Sequence, residues 1–129
     1  MNIFVGEFVE LDIYLDNMKK NRTVNPSEHA IQNLILEYLA TKRLFFWRNN
    51  VGSAVFENKK TGKQRFIRFG IAGAPDVFVL KQGQLYGLEV KSAKGKLQPS
   101  QIEFQKGFEA AGGFYAVVRS LDEVIGIGL

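Results

Sequence analysis

Residues 74–91 read APDVFVLKQGQLYGLEVK. Two apolar runs flank Gln82-Gly83, the pattern of a β-hairpin closed by a short turn. Besides Lys81 next to the turn, three charges interrupt it. Asp76 heads the first run, and Glu89 and Lys91 break the end of the second. A two-residue turn at Gln82-Gly83 pairs Lys81 with Gln84 and, counting back, Asp76 with Glu89. A four-residue loop over 81–84 keeps that pairing, whereas a three-residue loop shifts it by one. Directly opposed residues hold their Cβ atoms roughly 4.5–5.5 Å apart. Two carboxylates so placed repel unless one takes a proton or a cation sits between them. Lys91 follows Glu89 by two positions and so shares its face, while Leu88 and Val90 point to the other side and supply core.

Two acids and an ammonium on one face suit a hard divalent cation. Mg²⁺ prefers oxygen ligands and needs only one or two protein carboxylates. Bound there, it would polarise a phosphoryl oxygen and acidify water, with the lysine orienting that water or stabilising charge on the phosphate. The same spacing also fits a surface salt bridge between Glu89 and Lys91, with Asp76 capping a turn after Pro75.

The rest of the chain narrows the classes. Its 129 residues suit one domain with its own core, and 46% hydrophobic content is that of a globular protein. There is no cysteine, which excludes disulfides, thiolate zinc sites and a thiol nucleophile. His29 is the sole histidine, so a multi-histidine metal site within one chain is excluded too. No apolar run approaches membrane-spanning length, and the N-terminus does not read as a leader, so no membrane partner is expected. The net charge of +4 and pI of about 9.4 are compatible with a polyanionic partner. Distribution is more telling. Residues 58–68 carry Lys59, Lys60, Lys63, Arg65 and Arg68 with no acid, and Lys94 and Lys96 follow the opening stretch. Solvated loop tips would look the same.

Residues 1–25 stand apart. Val9, Leu11, Ile13 and Leu15 alternate as in a strand, while Phe4, Phe8, Leu11, Leu15 and Met18 recur at helical spacing. Early acids and late bases favour the helix. Asn25-Pro26-Ser27-Glu28 then offers a cap, a proline at the first helical position and a glutamate at the third. Ile31, Leu34, Ile35, Tyr38 and Leu39 form the apolar stripe of that helix. A strand is expected over Leu44 to Trp47, two more within 53–69 joined at Thr61-Gly62, and the hairpin over 76–91. A helix runs from Pro99 to Ala111, a strand from Phe114 to Val118, and Ser120-Leu121-Asp122-Glu123 opens a final helix. The order predicts an α/β fold, a mixed sheet flanked by helices. Tyr86 and Trp47 read as core. The small residues of 70–75 form a turn that would also let a phosphate backbone come close.

Pro75-Asp76 followed by Glu89-Val90-Lys91 resembles the PD-(D/E)xK nuclease superfamily. With Ser27-Glu28 and Gln32 upstream, and Ser92, Gly95-Lys96-Leu97, Gln101, Gly113 and Val117-Val118-Arg119-Ser120 downstream, the chain is similar to the virus-type replication-repair nuclease (VRR-NUC) domain over about residues 26–129. The resemblance implies a restriction-endonuclease-like PD-(D/E)xK core of the standalone phage or bacterial type. It implies an Mg²⁺- or Mn²⁺-dependent DNA endonuclease, a homodimer, and selectivity for branched DNA such as four-way (Holliday) junctions in DNA repair. Asp76 and Glu89 match the metal-ligating acids, with the Val90 carbonyl as a further ligand. Lys91 matches the catalytic lysine, and Gln101 the helix glutamine that positions the lysine or a phosphate. Glu28 matches a helix acid reaching the metal, though a glutamate three residues after Asn25 also suits a capping box. Arg48, Asn49, Lys59, Lys60, Lys63, Arg65, Arg68, Lys94 and Lys96 are the expected DNA contacts. Residues 1–25 lie outside the resemblance and are a candidate dimer contact or a segment packed on the chain's own core. The competing expectations are a non-cleaving DNA-binding module with a nuclease-like fold, and a duplex endonuclease without junction preference. Either way the cytoplasm of a bacterium or a phage-infected host cell is the expected location.

Overall fold

The computed structural model describes residues 25–49 and 52–129. The N-terminal segment over 1–24, with the helix and the dimer contact expected of it, lies outside the described residues. The elements are α1 (Glu28–Thr41), β1 (Phe45–Arg48), β2 (Gly52–Glu57), β3 (Gln64–Phe69), β4 (Val77–Lys81), β5 (Gln84–Val90), α2 (Pro99–Ala110), β6 (Phe114–Val118) and α3 (Leu121–Gly126). Four strands form a mixed sheet in the order β1-β4-β5-β6, and β2 and β3 form a separate two-stranded ribbon. β1, β4 and β5 are antiparallel, while β6 joins β5 in parallel. A parallel neighbour needs a crossover, which α2 supplies.

The β4–β5 register is the one the turn chemistry predicts. Lys81 pairs with Gln84 and Val77 with Leu88. Gln82 and Gly83 both have positive φ, 50° and 79°, as a two-residue hairpin turn with the strands' own twist requires. Alternation then divides the side chains. Val77, Val79, Leu88 and Val90 enter one core with Ile31, Ile35, Tyr38 and Leu39 of α1 and Leu121 and Val124 of α3. On the opposite face Phe78 meets Phe104 and Phe108 of α2, at ring separations of 6.5 and 5.9 Å. Helices therefore cover both faces of the sheet. The Tyr38 hydroxyl donates to the Leu129 carbonyl at 2.9 Å, tying the last residue to α1.

Two details differ from expectation. The cap of α1 is Ser27, whose Oγ accepts from Ala30 N at 3.1 Å. Asn25 has φ 59°, a left-handed conformation unlike the extended one of an N-cap. Glu28 is therefore the first helical residue and not the third residue of a capping box. Trp47, expected in the core, is 42% exposed on the edge strand β1, stacked on Phe78 at 5.3 Å. Tyr86 does pack against the core. Among the described residues no helix is long and apolar enough to cross a membrane.

Candidate active site

One end of the sheet collects the polar residues. The end of β1, the start of β4 and the ends of β5 and β6 meet there, which is where open α/β sheets place their ligands relative to parallel strands. The Val77↔Leu88 pair puts Asp76 and Glu89 at the next opposed positions. Asp76 continues the pairing with its side chain: Oδ2 accepts from Val90 N at 2.8 Å, and its carbonyl accepts from Asn49 N at 2.7 Å. Glu89 is 3% exposed and Lys91 8%. Lys91 Nζ lies 3.6 Å from Glu89 Oε1. The same oxygen accepts from Gln101 Nε2 at 2.8 Å. Gln101 is aimed by its helix, since its Oε1 takes the N–H of Gln98 at 2.7 Å and leaves the amide nitrogen facing Glu89.

The electrostatics follow from this enclosure. Burial, and then the neighbouring Asp76, push the Glu89 carboxyl up to about 8, against a partial offset from Lys91. Burial also raises Asp76, opposed by the Val90 N–H and by Lys91. Tyr115, buried on β6, is raised by burial and by the nearby acids. Among the described residues, two buried side-chain atoms have no hydrogen-bond partner: Glu89 Oε2 and the Tyr115 hydroxyl. An orphaned carboxylate oxygen beside a second carboxylate is a donor set for a hard cation, so Asp76 and Glu89 fit Mg²⁺ or Mn²⁺ chemically. Glu28 does not complete a cage. It stands exposed at the start of α1, its Oε1 against Gly95, and among the described residues no three His, Cys, Asp or Glu side chains converge. Its charge still raises both acids slightly.

The remaining expected residues fall into two groups. Arg48, Asn49, Lys94 and Lys96 lie at this end of the sheet or on the loop after β5, and the two lysines and Arg48 are exposed. Lys59, Lys60, Lys63 and Arg65 are exposed on the ribbon, and Arg68 is placed there by its backbone opposite Ser53. Val90 reaches Asp76 through its N–H. His29 pairs with Asn33 on the exposed side of α1, Gln32 is half-buried, and Gln105 turns to Glu109 at 3.1 Å. Within 70–75 it is Gly73 that serves packing: a Cβ there (φ 79°) would lie 2.0 Å from the Ser100 carbonyl oxygen of α2. That space belongs to a helix and not to a phosphate.

Sequence reasoning counted Arg119 in the resemblance but gave it no role. Its Nη1 donates to the carbonyls of Ser92 and Gly95, the latter at 2.8 Å, and approaches that of Ala93 at 3.5 Å. It thereby pins the loop after Lys91. Parallel pairing of Val90 with Val118 brings Arg119 level with Lys91, and no local sequence signal marks that pairing. Glu123 takes the Arg119 N–H at 2.7 Å, while the Ser120 hydroxyl caps Glu123 N. No protein-family model, no curated protein and no solved structure matches this chain.

Proposed function

We infer that the chain is a divalent-cation-dependent DNA endonuclease of the PD-(D/E)xK kind, selective for branched DNA. The observation that supports it best is the pairing of half-buried Asp76 with buried Glu89, one of whose oxygens lacks any partner while an ammonium lies 3.6 Å from the other. Structural salt bridges seldom bury two like charges against one cation, because desolvation is unfavourable for every member. A cation held by Asp76 and Glu89 would supply Lewis acidity toward a phosphodiester oxygen and acidify water. Gln101 holds Glu89 in one orientation. Lys91, enclosed beside the acids, presents positive charge to the non-bridging phosphate oxygens, where negative charge grows as water attacks phosphorus. Arg48, Lys94 and Lys96 would bind flanking phosphates and so position the backbone without reading sequence. Exposed cations on the ribbon extend that surface. The homodimer that the resemblance implies belongs to the same proposal: paired strand cuts need two sites related by a two-fold axis.

The test is incubation of the purified protein with labelled four-way junction, linear duplex and single-stranded DNA, in Mg²⁺, Mn²⁺ or EDTA. Metal-dependent cutting, strongest on the junction, is expected. Junction binding without cutting in either metal would leave only a DNA-binding module. Equal cutting of duplex and junction would remove the branch selectivity and retain the nuclease.

A further inference from the structure

The ribbon β2–β3 is built unlike the rest of the chain. Among the described residues no other helix or strand lies against it. A two-stranded hairpin standing alone is only marginally stable in water, and this one also shows apolar side chains on both faces. Val55 is 60% exposed and Phe56 54%. They alternate, with Val55 paired to Phe66, itself 60% exposed, and Phe56 paired to Arg65, so one face carries Val55 and Phe66 and the other carries Phe56. The tip is ordered: Asn58 N donates to the Lys63 carbonyl at 2.8 Å, and the Asn58 side chain accepts from Lys60 N at 2.9 Å. An open concavity of about 500 Å³ gathers Phe56, Asn58, Thr61, Lys63 and Arg65. Both roots of the ribbon lie at the active-site end of the sheet, since the chain enters it after Arg48 and leaves it through 70–75 into Asp76.

We propose that this ribbon is a branch-reading arm, whose Phe56 stacks on a base exposed at a DNA branch point while Lys59, Lys60, Lys63 and Arg65 grip the flanking phosphates. The arm deepens the nuclease reading and rests on it for the choice of branched DNA. Charge selects the occupant. From residue 52 to 69 the only acid is Glu57 against five bases, so two such arms repel each other, and a polyanion is complementary. A DNA major groove is wide enough for a two-stranded ribbon. An aromatic ring stacks on any base, but a continuous duplex hides its base faces and a branch point uncovers them. The aromatic therefore discriminates branched from linear DNA, and the cations bind both.

Gel-shift titrations in EDTA separate binding from cutting. Wild type, Phe56→Ala and the double variant Lys59→Ala/Lys63→Ala are compared on a four-way junction and on linear duplex of the same sequence. Sedimentation of each protein runs alongside. Phe56→Ala should lose about tenfold on the junction and stay within about twofold on duplex. The lysine variant should weaken both and flatten the salt dependence. Wild-type junction affinity in Phe56→Ala overturns the arm, as does an altered oligomeric state in that variant, which would assign the ribbon to a contact between copies. The two readings fail separately. Wild type that binds junctions through Phe56 but never cuts in metal removes the nuclease and keeps the arm. Cutting by Phe56→Ala equal to wild type on both DNAs, with unchanged binding, removes the arm and keeps the nuclease.

Discussion

Two antiparallel hairpins among the described residues, β2–β3 and β4–β5, differ in what surrounds them. β4–β5 lies at the centre of a four-stranded sheet between helices, with Val77, Val79 and Leu88 fully buried. β2–β3 stands outside that sheet with Lys59, Lys60, Lys63 and Arg65 exposed. Apart from Lys81 at the turn, charge in the first is confined to the other end, where Glu89 and Lys91 are withdrawn from water. Charge in the second is spread around a solvated tip. Burial turns charged side chains into perturbed groups suited to chemistry, whereas exposure leaves them suited to long-range attraction.

The largest effect that separates the two regions is on activity. Under the proposed function, Lys91→Ala or Asp76→Asn lowers cleavage by roughly a hundredfold or more, with circular dichroism unchanged. Lys60→Ala on the ribbon lowers it only several-fold, and added salt mimics that loss. A ribbon lysine as critical as Lys91 would break the contrast. Stability comes next. Leu88→Ala should cost about 2–5 kcal/mol in urea unfolding, whereas Val55→Ala should stay within about 0.5 kcal/mol.

The pH dependence sharpens the contrast further. Folding raises the Glu89 carboxyl from 4.5 to about 8, and Asp76 moves in the same direction. The folded protein then binds more protons than the unfolded chain between those values. This contribution is complete below about pH 4.5 and is lost as the pH rises through about 8. The metal-free midpoint of thermal unfolding should therefore fall across that window, and Glu89→Gln should flatten the fall. A curve of identical slope in Glu89→Gln would mean that Glu89 is solvated. The smallest effect belongs to Arg119. Arg119→Lys keeps the charge but not the planar fork that spans several carbonyls. It should lower cleavage several-fold and expose the 92–95 loop to proteolysis, with Arg119→Ala no worse than a further few-fold.

Much of this was legible because β periodicity is local. The apolar alternation on either side of Gln82-Gly83 specified the turn, the turn specified the register, and the register opposed Asp76 to Glu89. The mixed sheet flanked by helices followed from element order. What stayed hidden depended on contacts across the fold. Asn25, Pro26, Ser27 and Glu28 are all helix-start residues, and only the left-handed φ of Asn25 shows that Ser27 is the cap. Gly73 looked like room for a ligand until α2 occupied the space. Trp47 is apolar enough for a core position, but an edge strand leaves it half covered. The Arg119 clamp and the buried Tyr115 hydroxyl required the β5–β6 pairing, which no hairpin signal marks. That no other described helix or strand lies against the ribbon likewise depends on the whole fold.

The account rests on Asp76 and Glu89 forming one cation site. Its most direct test is the thermal midpoint at about pH 8, where Glu89 of the native protein loses its proton, followed through a Mn²⁺ titration of wild type, Asp76→Asn and Glu89→Gln. A ligand that binds only the folded state raises the midpoint with concentration. Wild type should rise saturably, and neither variant should follow. A rise of the same size and midpoint in all three proteins would place the cation elsewhere and contradict the assignment.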